Sequence, residues 1–254
     1  MDETTQRPAR KGVYILPNLL TVGSLFSGFM GILWALEGRF DLTALAILVS
    51  CLFDGLDGKV ARLTRTSSDF GVQLDSLCDL VAFGVTPALM LYQWELHAFG
   101  RLGIMACFLV VACGALRLAR FNVQTSSGNK KFFVGLPIPA AGCIIATLYM
   151  FTQYVPDEFT ASVMPKVCLV IAYLVSFLMV SRVRYASFKE FGMIKAHPFR
   201  AMVTVILLFV MVASEPKLFG FLFFFGYMIS GPIYTFLVLP RRARALRESH
   251  QELS

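Results

Sequence analysis

Residues 51–84 read CLFDGLDGKVARLTRTSSDFGVQLDSLCDLVAFG, and this stretch places five aspartates between long apolar runs. The whole chain is 57% hydrophobic and only 15% charged, whereas soluble domains carry about 25% charged residues. The sequence therefore predicts an integral membrane protein. It also raises the question of why carboxylates lie inside its hydrophobic segments.

The apolar residues are grouped into segments that are long enough to cross a bilayer. One helical crossing needs roughly 20 predominantly apolar residues. Eight segments meet or approach this length: 14–36, 42–63, 72–94, 102–121, 133–155, 163–181, 201–214 and 218–239. We predict an all-α, polytopic membrane bundle of about eight transmembrane helices, of which 201–214 is the shortest.

The basic residues predict the orientation of the bundle. With a cytoplasmic N-terminus, all but four of the 23 Lys and Arg residues fall on the cytoplasmic side, the exceptions being Arg39, Arg101, Lys166 and Lys217. This asymmetry follows the positive-inside rule and places both termini in the cytoplasm. Basic residues beside anionic lipid account for the net charge of +7 without nucleic-acid binding. We divide the chain into a cytoplasmic segment (1–13), one membrane domain (14–240) and a basic cytoplasmic tail (241–254).

The cysteines and histidines indicate neither a disulfide framework nor a zinc site. The six cysteines are dispersed and form no CxxC motif, and the three histidines lie far apart in the sequence. The candidate chemistry is therefore limited to the acidic stretch and its basic neighbours.

Four of the aspartates form two stripes at matched depths. Asp54 and Asp57 are three residues apart and Asp75 and Asp79 four apart, so each pair shares one helix face. Measured along a helix from the cytoplasmic surface, Asp57 and Asp75 lie roughly 6–7 Å deep, and Asp54 and Asp79 roughly 12 Å deep. Adjacent antiparallel helices then bring Asp57 near Asp75 and Asp54 near Asp79.

Such a group of carboxylates needs compensating positive charge, because each charged Asp at the membrane centre costs about 2.5–3.5 kcal/mol. Hard divalent cations with oxygen ligands, Mg²⁺ or Mn²⁺, are the natural partners. Four carboxylates suit two ions roughly 4 Å apart, an arrangement used in phosphoryl chemistry. Salt bridges to Lys59, Arg62 and Arg65 explain one or two acids but not two facing stripes. Asp69 lies off both stripes and is predicted to be a turn or capping residue.

The full pattern, Asp54-x2-Asp57-Gly58-x2-Ala61-Arg62-x8-Gly71-x3-Asp75-x3-Asp79, resembles the signature of the CDP-alcohol phosphotransferase family at every fixed position. The resemblance implies a helical membrane enzyme with a six-helix core, here followed by two C-terminal helices. It also implies two divalent cations, a cavity facing the cytoplasm and a homodimer. The residues implied are Asp54, Asp57, Asp75 and Asp79 as metal ligands, Asp79 also as general base, and Asp57, Gly58, Ala61, Arg62, Ser68 and Gly71 as contacts to the CDP group.

Further stretches resemble the phosphatidylserine synthases of this family. LDSLCDLVAFGVTPA has Ser76 after the third motif aspartate, and RLARFNV, FFVGLPIPAAG and the N-terminal LPNLLT also fit. The resemblance implies that CDP-diacylglycerol and L-serine are the substrates and that phosphatidylserine and CMP are the products. The serine carboxylate needs a cation near the cytoplasmic end of the site, and Arg117, Arg120, Asn122 and Lys131 are the candidates.

Two alternatives remain open from the residues themselves. Glycerol phosphate or inositol phosphate would also recruit cations, so another acceptor (choline included) or an archaeal-type lipid donor is the nearer alternative. A cation transporter is the more distant alternative, because intramembrane carboxylates also line ion pathways. However, the acids cluster in the predicted cytoplasmic half instead of being distributed along a path across the membrane.

We expect an integral protein of a prokaryotic inner or plasma membrane with its active site facing the cytoplasm.

Overall fold

The computed structural model describes residues 15–64, 68–126, 135–183, 185 and 214–238. These residues form helices and no strand, which confirms the all-helical prediction. The helices are α1 (Ile15–Leu36), α2 (Phe40–Thr64), α3 (Asp69–Asp79), a π-helical turn (Leu80–Val85), α4 (Thr86–Trp94), a 3₁₀ turn (Leu96–Phe99), α5 (Arg101–Ser126), α6 (Ile138–Thr152), α7 (Asp157–Val180) and α8 (Pro216–Ile233), which ends in a second π-helical turn (Tyr234–Val238).

Within the described part of the chain, five helical segments are long and apolar enough to cross a membrane: Leu16–Leu36, Asp69–Trp94, Arg101–Gln124, Thr160–Val180 and Pro216–Phe236. The α2 helix has the necessary length, 25 residues, but its C-terminal half carries the motif acids and bases. The predicted segment 201–214 lies outside the described residues except for Ser214. The count of eight spans and the cytoplasmic termini therefore stay predictions.

The fifth predicted segment, 133–155, is shorter than expected. Its helix, α6, begins only at Ile138 because Gly135 has a φ of +85° and Pro137 has an extended backbone. Instead of entering a helix, the Gly135 and Leu136 amides donate to the carbonyls of Val183 (2.8 Å) and Leu178 (3.0 Å). The approach to α6 is thereby tied to the end of α7.

The α1 and α2 helices form a close antiparallel pair that depends on small polar residues. The hydroxyls of Ser24 and Ser50 each lie within hydrogen-bond distance of the other residue's carbonyl, at 3.2 and 2.9 Å. Farther along, the Ser27 hydroxyl donates to the Ala46 carbonyl over 2.9 Å. In lipid the helices gain no hydrophobic drive to associate, so small side chains and interhelical hydrogen bonds hold them together. This pairing fixes the rotation of α2 and hence the direction in which its aspartates point.

The α6 helix occupies the centre of the bundle. Ala141, Cys143, Ile144, Ile145 and Ala146 are all fully buried, and the helix packs against α2, α8 and the first π-helical turn. A helix that is apolar on all sides is typical of a buried position. In contrast, α1 exposes one apolar face, including Leu19 and Phe26, as a helix in contact with lipid does.

The π-helical turn at Leu80–Val85 directly follows Asp79 and is explained by Pro87. A proline inside an α-helix clashes with the carbonyl four residues before it, and widening the preceding turn relieves that contact. The Thr86 amide accordingly bonds to the Val81 carbonyl, five residues back. The Thr86 hydroxyl lies 3.0 Å from the Gly28 carbonyl of α1, which ties the widened turn to its neighbour.

Gly28 is needed where α1 crosses this π-helical turn. A Cβ at position 28 would lie 2.8 Å from the Cα of Ala82, too close for any side chain. We expect Gly28→Ala to lower the thermal stability of the detergent-solubilised protein by the equivalent of about 1–3 kcal/mol, the usual effect of overpacking.

Gly226→Ala is the matched control, because a Cβ at that position in α8 meets no atom within 4 Å. Alanine is the better helix former by about 1 kcal/mol, so this variant should melt at the parental temperature or above it. Equal destabilisation of both variants in a thermal-shift assay would contradict the close contact between α1 and the π-helical turn.

Candidate active site

Three carboxylates meet where the C-terminal half of α2 lies beside α3. Oxygen atoms of Asp54, Asp57 and Asp75 all lie within 4.8 Å of one another. Helical spacing places the first two on one face of α2, and Asp75 of α3 lies beside that face. The facing acidic stripes predicted from the sequence are present in the structure.

Asp79 lies at the inner end of the same cluster. It is buried, only 7% exposed, and close enough to Asp54, Asp75 and Asp57 for like-charge repulsion. Because the π-helical turn begins at the next residue, the orientation of Asp79 depends on the packing of that turn against α1 and α6.

The α1 helix contributes a hydrogen bond to the cluster. The Thr21 hydroxyl lies 2.7 Å from Oδ2 of Asp57 and 3.1 Å from the Pro17 carbonyl. Both Thr21 and Asp57 are buried. A buried donor of this kind fixes the carboxylate rotamer and leaves the second carboxylate oxygen available to another ligand.

The cluster borders a cavity of about 170 Å³ between α1, α2 and α3. The cavity-lining residues predicted from the motif are Asp57, Gly58, Ala61, Ser68, Gly71 and Asp75. Pro17, Asn18, Thr21 and Val72 line it as well. Asp54 and Asp79 are not among its lining residues, and the Arg62 side chain lies outside the described part of the structure.

The cavity rim is formed by the start of α3. Ser68 is the N-cap of this helix, and its hydroxyl accepts a 3.0 Å hydrogen bond from the Gly71 amide. Asp69, predicted to be a turn or capping residue, is instead the exposed first residue of α3, where the helix dipole favours an acid. A Cβ on Gly71 would lie 3.2–3.3 Å from the side chains of Ser68 and Asn18, so glycine keeps this side of the cavity open.

The carboxylate cluster fits a hard divalent cation. Its ligands are all oxygens, which Mg²⁺ and Mn²⁺ prefer, and their spacing suits a shared ion. Of the three basic residues that could neutralise the acids, Lys59 is exposed and forms no ion pair with them, and the Arg62 side chain and Arg65 lie outside the described part of the structure.

The candidates for serine binding lie in different surroundings. Arg117 of α5 is buried, with 8% exposure, whereas Arg120 is partly exposed and donates to the Val180 carbonyl at the end of α7 over 3.4 Å. Lys131 lies outside the described residues. Positive charge at a helix C-terminus is stabilising, so Arg120 has a structural partner.

Asn122 connects α5 to α3 through a small polar network. Its amide nitrogen donates to Ser76 Oγ (3.0 Å) and to Gln73 Oε1 (3.2 Å). Ser76 follows Asp75 directly, so this network braces the helix turn that carries a cluster acid. Ser76, which the sequence analysis noted for its resemblance to the phosphatidylserine synthases, thus contacts Asn122, one of the predicted serine-binding residues.

Sequence reasoning missed the contribution of α1. Asn18 and Thr21 line the cavity, but neither carries a charge and both lie in an apolar segment, LPNLLT, which the sequence analysis used only for its family resemblance. The signal available was the pair of polar side chains three residues apart, which lie on one helix face.

The family assignment follows from comparison with known proteins. The family description "CDP-alcohol phosphatidyltransferase" matches residues 14–178, which include α1 to α6, the carboxylate cluster and the cavity. The chain belongs to the CDP-alcohol phosphatidyltransferase family. It is accordingly an enzyme and a phosphotransferase, and its apolar helices agree with the membrane location predicted from the sequence.

Three relatives illustrate the range of similarity within this family. The CDP-diacylglycerol–serine O-phosphatidyltransferase of Helicobacter pylori (strain ATCC 700392 / 26695) is 40% identical over 178 residues, 70% of this chain and 74% of the relative. The archaetidylserine synthase of Methanothermobacter thermautotrophicus is 39% identical over 172 residues, 67% and 69% of the two chains. The CDP-diacylglycerol–serine O-phosphatidyltransferase of Mycobacterium tuberculosis (strain ATCC 25618 / H37Rv) is 40% identical over 153 residues, 57% and 53%.

The hydrogen bond from Thr21 generates a prediction about divalent cations. Thr21→Val keeps the shape of the side chain and removes the donor to Asp57. Hydrogen bonds to charged groups contribute about 1.5–3 kcal/mol, so the Mg²⁺ or Mn²⁺ concentration for half-maximal CMP release should rise about tenfold.

Thr147→Val is the matched control, because the buried Thr147 hydroxyl bonds only to carbonyls of its own helix, α6. This variant should keep the parental cation dependence. If Thr21→Val keeps it too, Thr21 has no part in orienting Asp57.

Proposed function

We propose that this protein is a phosphatidylserine synthase that transfers the phosphatidyl group of CDP-diacylglycerol to the hydroxyl of L-serine and releases CMP. The observation that carries the proposal is the convergence of Asp54, Asp57 and Asp75 beside the cavity between α1 and α3. The relatives named for serine transfer support the choice of acceptor.

Asp54, Asp57, Asp75 and Asp79 would together hold two divalent cations, Mg²⁺ or Mn²⁺. When bound, such cations neutralise the pyrophosphate and the developing charge of the CMP leaving group. Three of these acids meet in one cluster, and Asp79 adjoins it. The Thr21 hydroxyl holds Asp57 in place beside them.

The cavity is the proposed site for the CDP group of the donor. Gly58, Ala61 and Gly71 present little side-chain bulk, so a nucleotide can approach the backbone of α2 and α3. Ser68 and Asn18 offer neutral hydrogen-bonding groups at the rim. We assign Arg62, one residue beyond Ala61, to the phosphates. The acyl chains stay in the lipid between helices.

Asp79 is the proposed general base. It accepts the proton of the serine hydroxyl while that oxygen forms a bond to the phosphatidyl phosphorus. The bond between this phosphorus and the oxygen bridging to CMP breaks, and CMP leaves with the bridging oxygen. The proton then passes from Asp79 to water, so the sum is phosphatidylserine, CMP and one proton. The burial of Asp79 supports this role, because the base must act at the inner end of the site.

The acceptor side of the site is assigned to Arg117, Arg120, Asn122 and Lys131. Among them, Asn122 supports α3 through Ser76, and Arg120 holds the end of α7. Because one relative is an archaetidylserine synthase, an archaeal-type lipid donor is one alternative to CDP-diacylglycerol. Another alcohol, such as glycerol phosphate, inositol phosphate or choline, is the second alternative.

The topology proposed with this function has both termini and the cavity on the cytoplasmic side of a prokaryotic inner or plasma membrane. The positive charge of the predicted cytoplasmic segments supports it. CMP, serine and the cations are water-soluble, and all would enter from that side. We also propose a homodimer, as the family resemblance implies.

Asp79→Asn should separate donor binding from chemistry. The amide keeps the size of the side chain but cannot accept the proton, so serine-dependent CMP release should fall by about 10²-fold or more, the usual scale for a lost general base. Binding of CDP-diacylglycerol, measured by protection against thermal unfolding, should survive in part. Asp41→Asn, at the opposite end of α2, is the control and should keep its activity. Retained turnover in Asp79→Asn would assign the proton to another group.

The acceptor is tested by metal-dependent CMP release from CDP-diacylglycerol with L-serine, glycerol 3-phosphate, inositol 1-phosphate and choline offered in parallel. We expect release with L-serine alone, and none after chelation of the divalent cations. Release with a different alcohol would refute serine as the acceptor and keep the family assignment. Replacement of the donor by its archaeal-type ether analogue tests the lipid alternative in the same assay.

A further inference from the structure

Asp79 differs from Asp57 in how its side chain is held. The Thr21 hydroxyl fixes Asp57 through a hydrogen bond of 2.7 Å, whereas no residue in the described part of the chain donates a hydrogen bond to the Asp79 carboxylate. Asp79 is nevertheless buried, with 7% exposure, and the first π-helical turn begins at the next residue. The direction of the Asp79 side chain therefore depends on the backbone of that turn.

The backbone of this π-helical turn is in direct contact with two neighbouring helices. A Cβ on Gly28 of α1 would lie 2.8 Å from the Cα of Ala82. A Cβ on Gly142 of α6 would lie 3.1 Å from the Cα of Phe83. Ala82 and Phe83 are both fully buried. The turn is thus enclosed between α1 and α6, and a shift of either helix would move it.

Thr86 joins the turn to α1 by a hydrogen bond as well as by packing. Its hydroxyl lies 3.0 Å from the Gly28 carbonyl and 2.9 Å from the Val81 carbonyl, which also accepts the Thr86 amide. A Cβ on Gly31, one turn farther along α1, would lie 2.8 Å from the Thr86 methyl group. The threonine is fully buried, so both α1 and the carbonyl that closes the π-helical turn fix its rotamer.

The α1 helix therefore contacts both the metal-ligand stripe of α2 and the turn that follows Asp79. Thr21 and Gly28 are seven residues apart, which is about two helical turns or roughly 10 Å along one face. The first bonds to Asp57, and the carbonyl of the second holds the turn after Asp79. Although α1 carries no acidic residue, it can keep Asp57 and Asp79 at a constant separation.

We propose that Thr86 is a positioning residue for the reaction, whose hydroxyl fixes the π-helical turn against α1 and thereby directs the Asp79 carboxylate towards the acceptor hydroxyl. The inference rests on the function proposed above, in which Asp79 is the general base. A displacement of about 1 Å at a reacting group can lower a rate by about 10²-fold. A hydrogen bond that fixes the turn can thus affect the rate without contacting substrate.

Thr86→Val removes the hydroxyl and keeps the methyl group that packs against Gly31. In CMP release from CDP-diacylglycerol with L-serine, kcat should fall about tenfold because the base is displaced. The KM values for serine and for CDP-diacylglycerol should stay within about twofold, because Thr86 is buried against α1 and does not line the cavity. Thr86→Ser restores the donor and should return kcat to within about twofold of the parent.

Thr43→Val is the matched control. The Thr43 hydroxyl is also buried and also lies between an α1 carbonyl and the carbonyl four residues before it, 3.2 Å from Gly31 and 3.2 Å from Arg39. It lies in the first turn of α2, at the opposite end from the acids. This variant should lose a comparable amount of thermal stability and keep the parental kcat. An equal fall of kcat in both variants would make the Thr86 effect one of general stability and overturn the proposal.

The decisive measurement adds Thr86→Val to Asp79→Asn. If the hydroxyl acts through the base, the second substitution should change the remaining kcat by less than about twofold, because there is no base left to position. A further tenfold fall, about as large as in the parent, would show that the two residues act independently. That result would overturn the positioning role.

Gly142→Ala replaces Thr86→Val if the latter does not fold. It tests the turn from the side of α6, because its Cβ would press on the Cα of Phe83, and the same fall of kcat, absent in the Asp79→Asn background, is expected. Parental kcat in folded Thr86→Val would overturn the proposal. Retained turnover in Asp79→Asn would refute the proposed base, and CMP release with another alcohol but not with serine would refute the proposed acceptor, so these failures are distinguishable.

Discussion

The mutual repulsion of carboxylates at membrane depth is the constraint on which the rest of this structure depends. Asp54, Asp57 and Asp75 place oxygens within 4.8 Å of one another, and Asp79 adds a fourth acid next to them. A flexible scaffold would relieve this repulsion by moving the helices apart. The acids therefore require helices that are held rigidly, and the divalent cations proposed for the site would supply the compensating positive charge.

The rigidity comes from features without any charge. Small residues bring α1 against α2 and against the π-helical turn, and hydroxyl groups hydrogen-bond across the first pair. The Thr86 hydroxyl likewise bonds to the Gly28 carbonyl and so ties the segment after Asp79 to α1. The Thr21 hydroxyl of α1 bonds to Asp57 of α2. The position of each acid is thus determined by a neighbouring helix as well as by its own, which is why apolar and small residues around the site are as important as the ligands.

Features that depend on residues close together in the chain could be predicted from the sequence, whereas contacts between distant segments could not. The facing stripes follow from helical spacing and from the small number of residues between α2 and α3, and both are local properties. The late start of α6 was missed, because it depends on Gly135 pairing with the distant end of α7. The π-helical turn was missed as well, although Pro87 gave a signal for it. The Thr21 hydroxyl bonds to Asp57, and the Tyr185 hydroxyl bonds to the Met228 carbonyl. These contacts join segments far apart in the chain, and periodicity carries no information about such pairs.

The chemistry proposed for the site explains why a second, cationic region is needed beside the acids. An acceptor that carries a carboxylate is repelled by the cluster that would hold the donor, so its anion must be met by a cation on another helix. The α5 helix is suitable because it packs against the first π-helical turn and carries Arg117. An arginine in a membrane-spanning helix is costly where it faces lipid, so it must lie inside the protein. Arg117 is only 8% exposed, so the packing of α5 within the bundle gives it that enclosure.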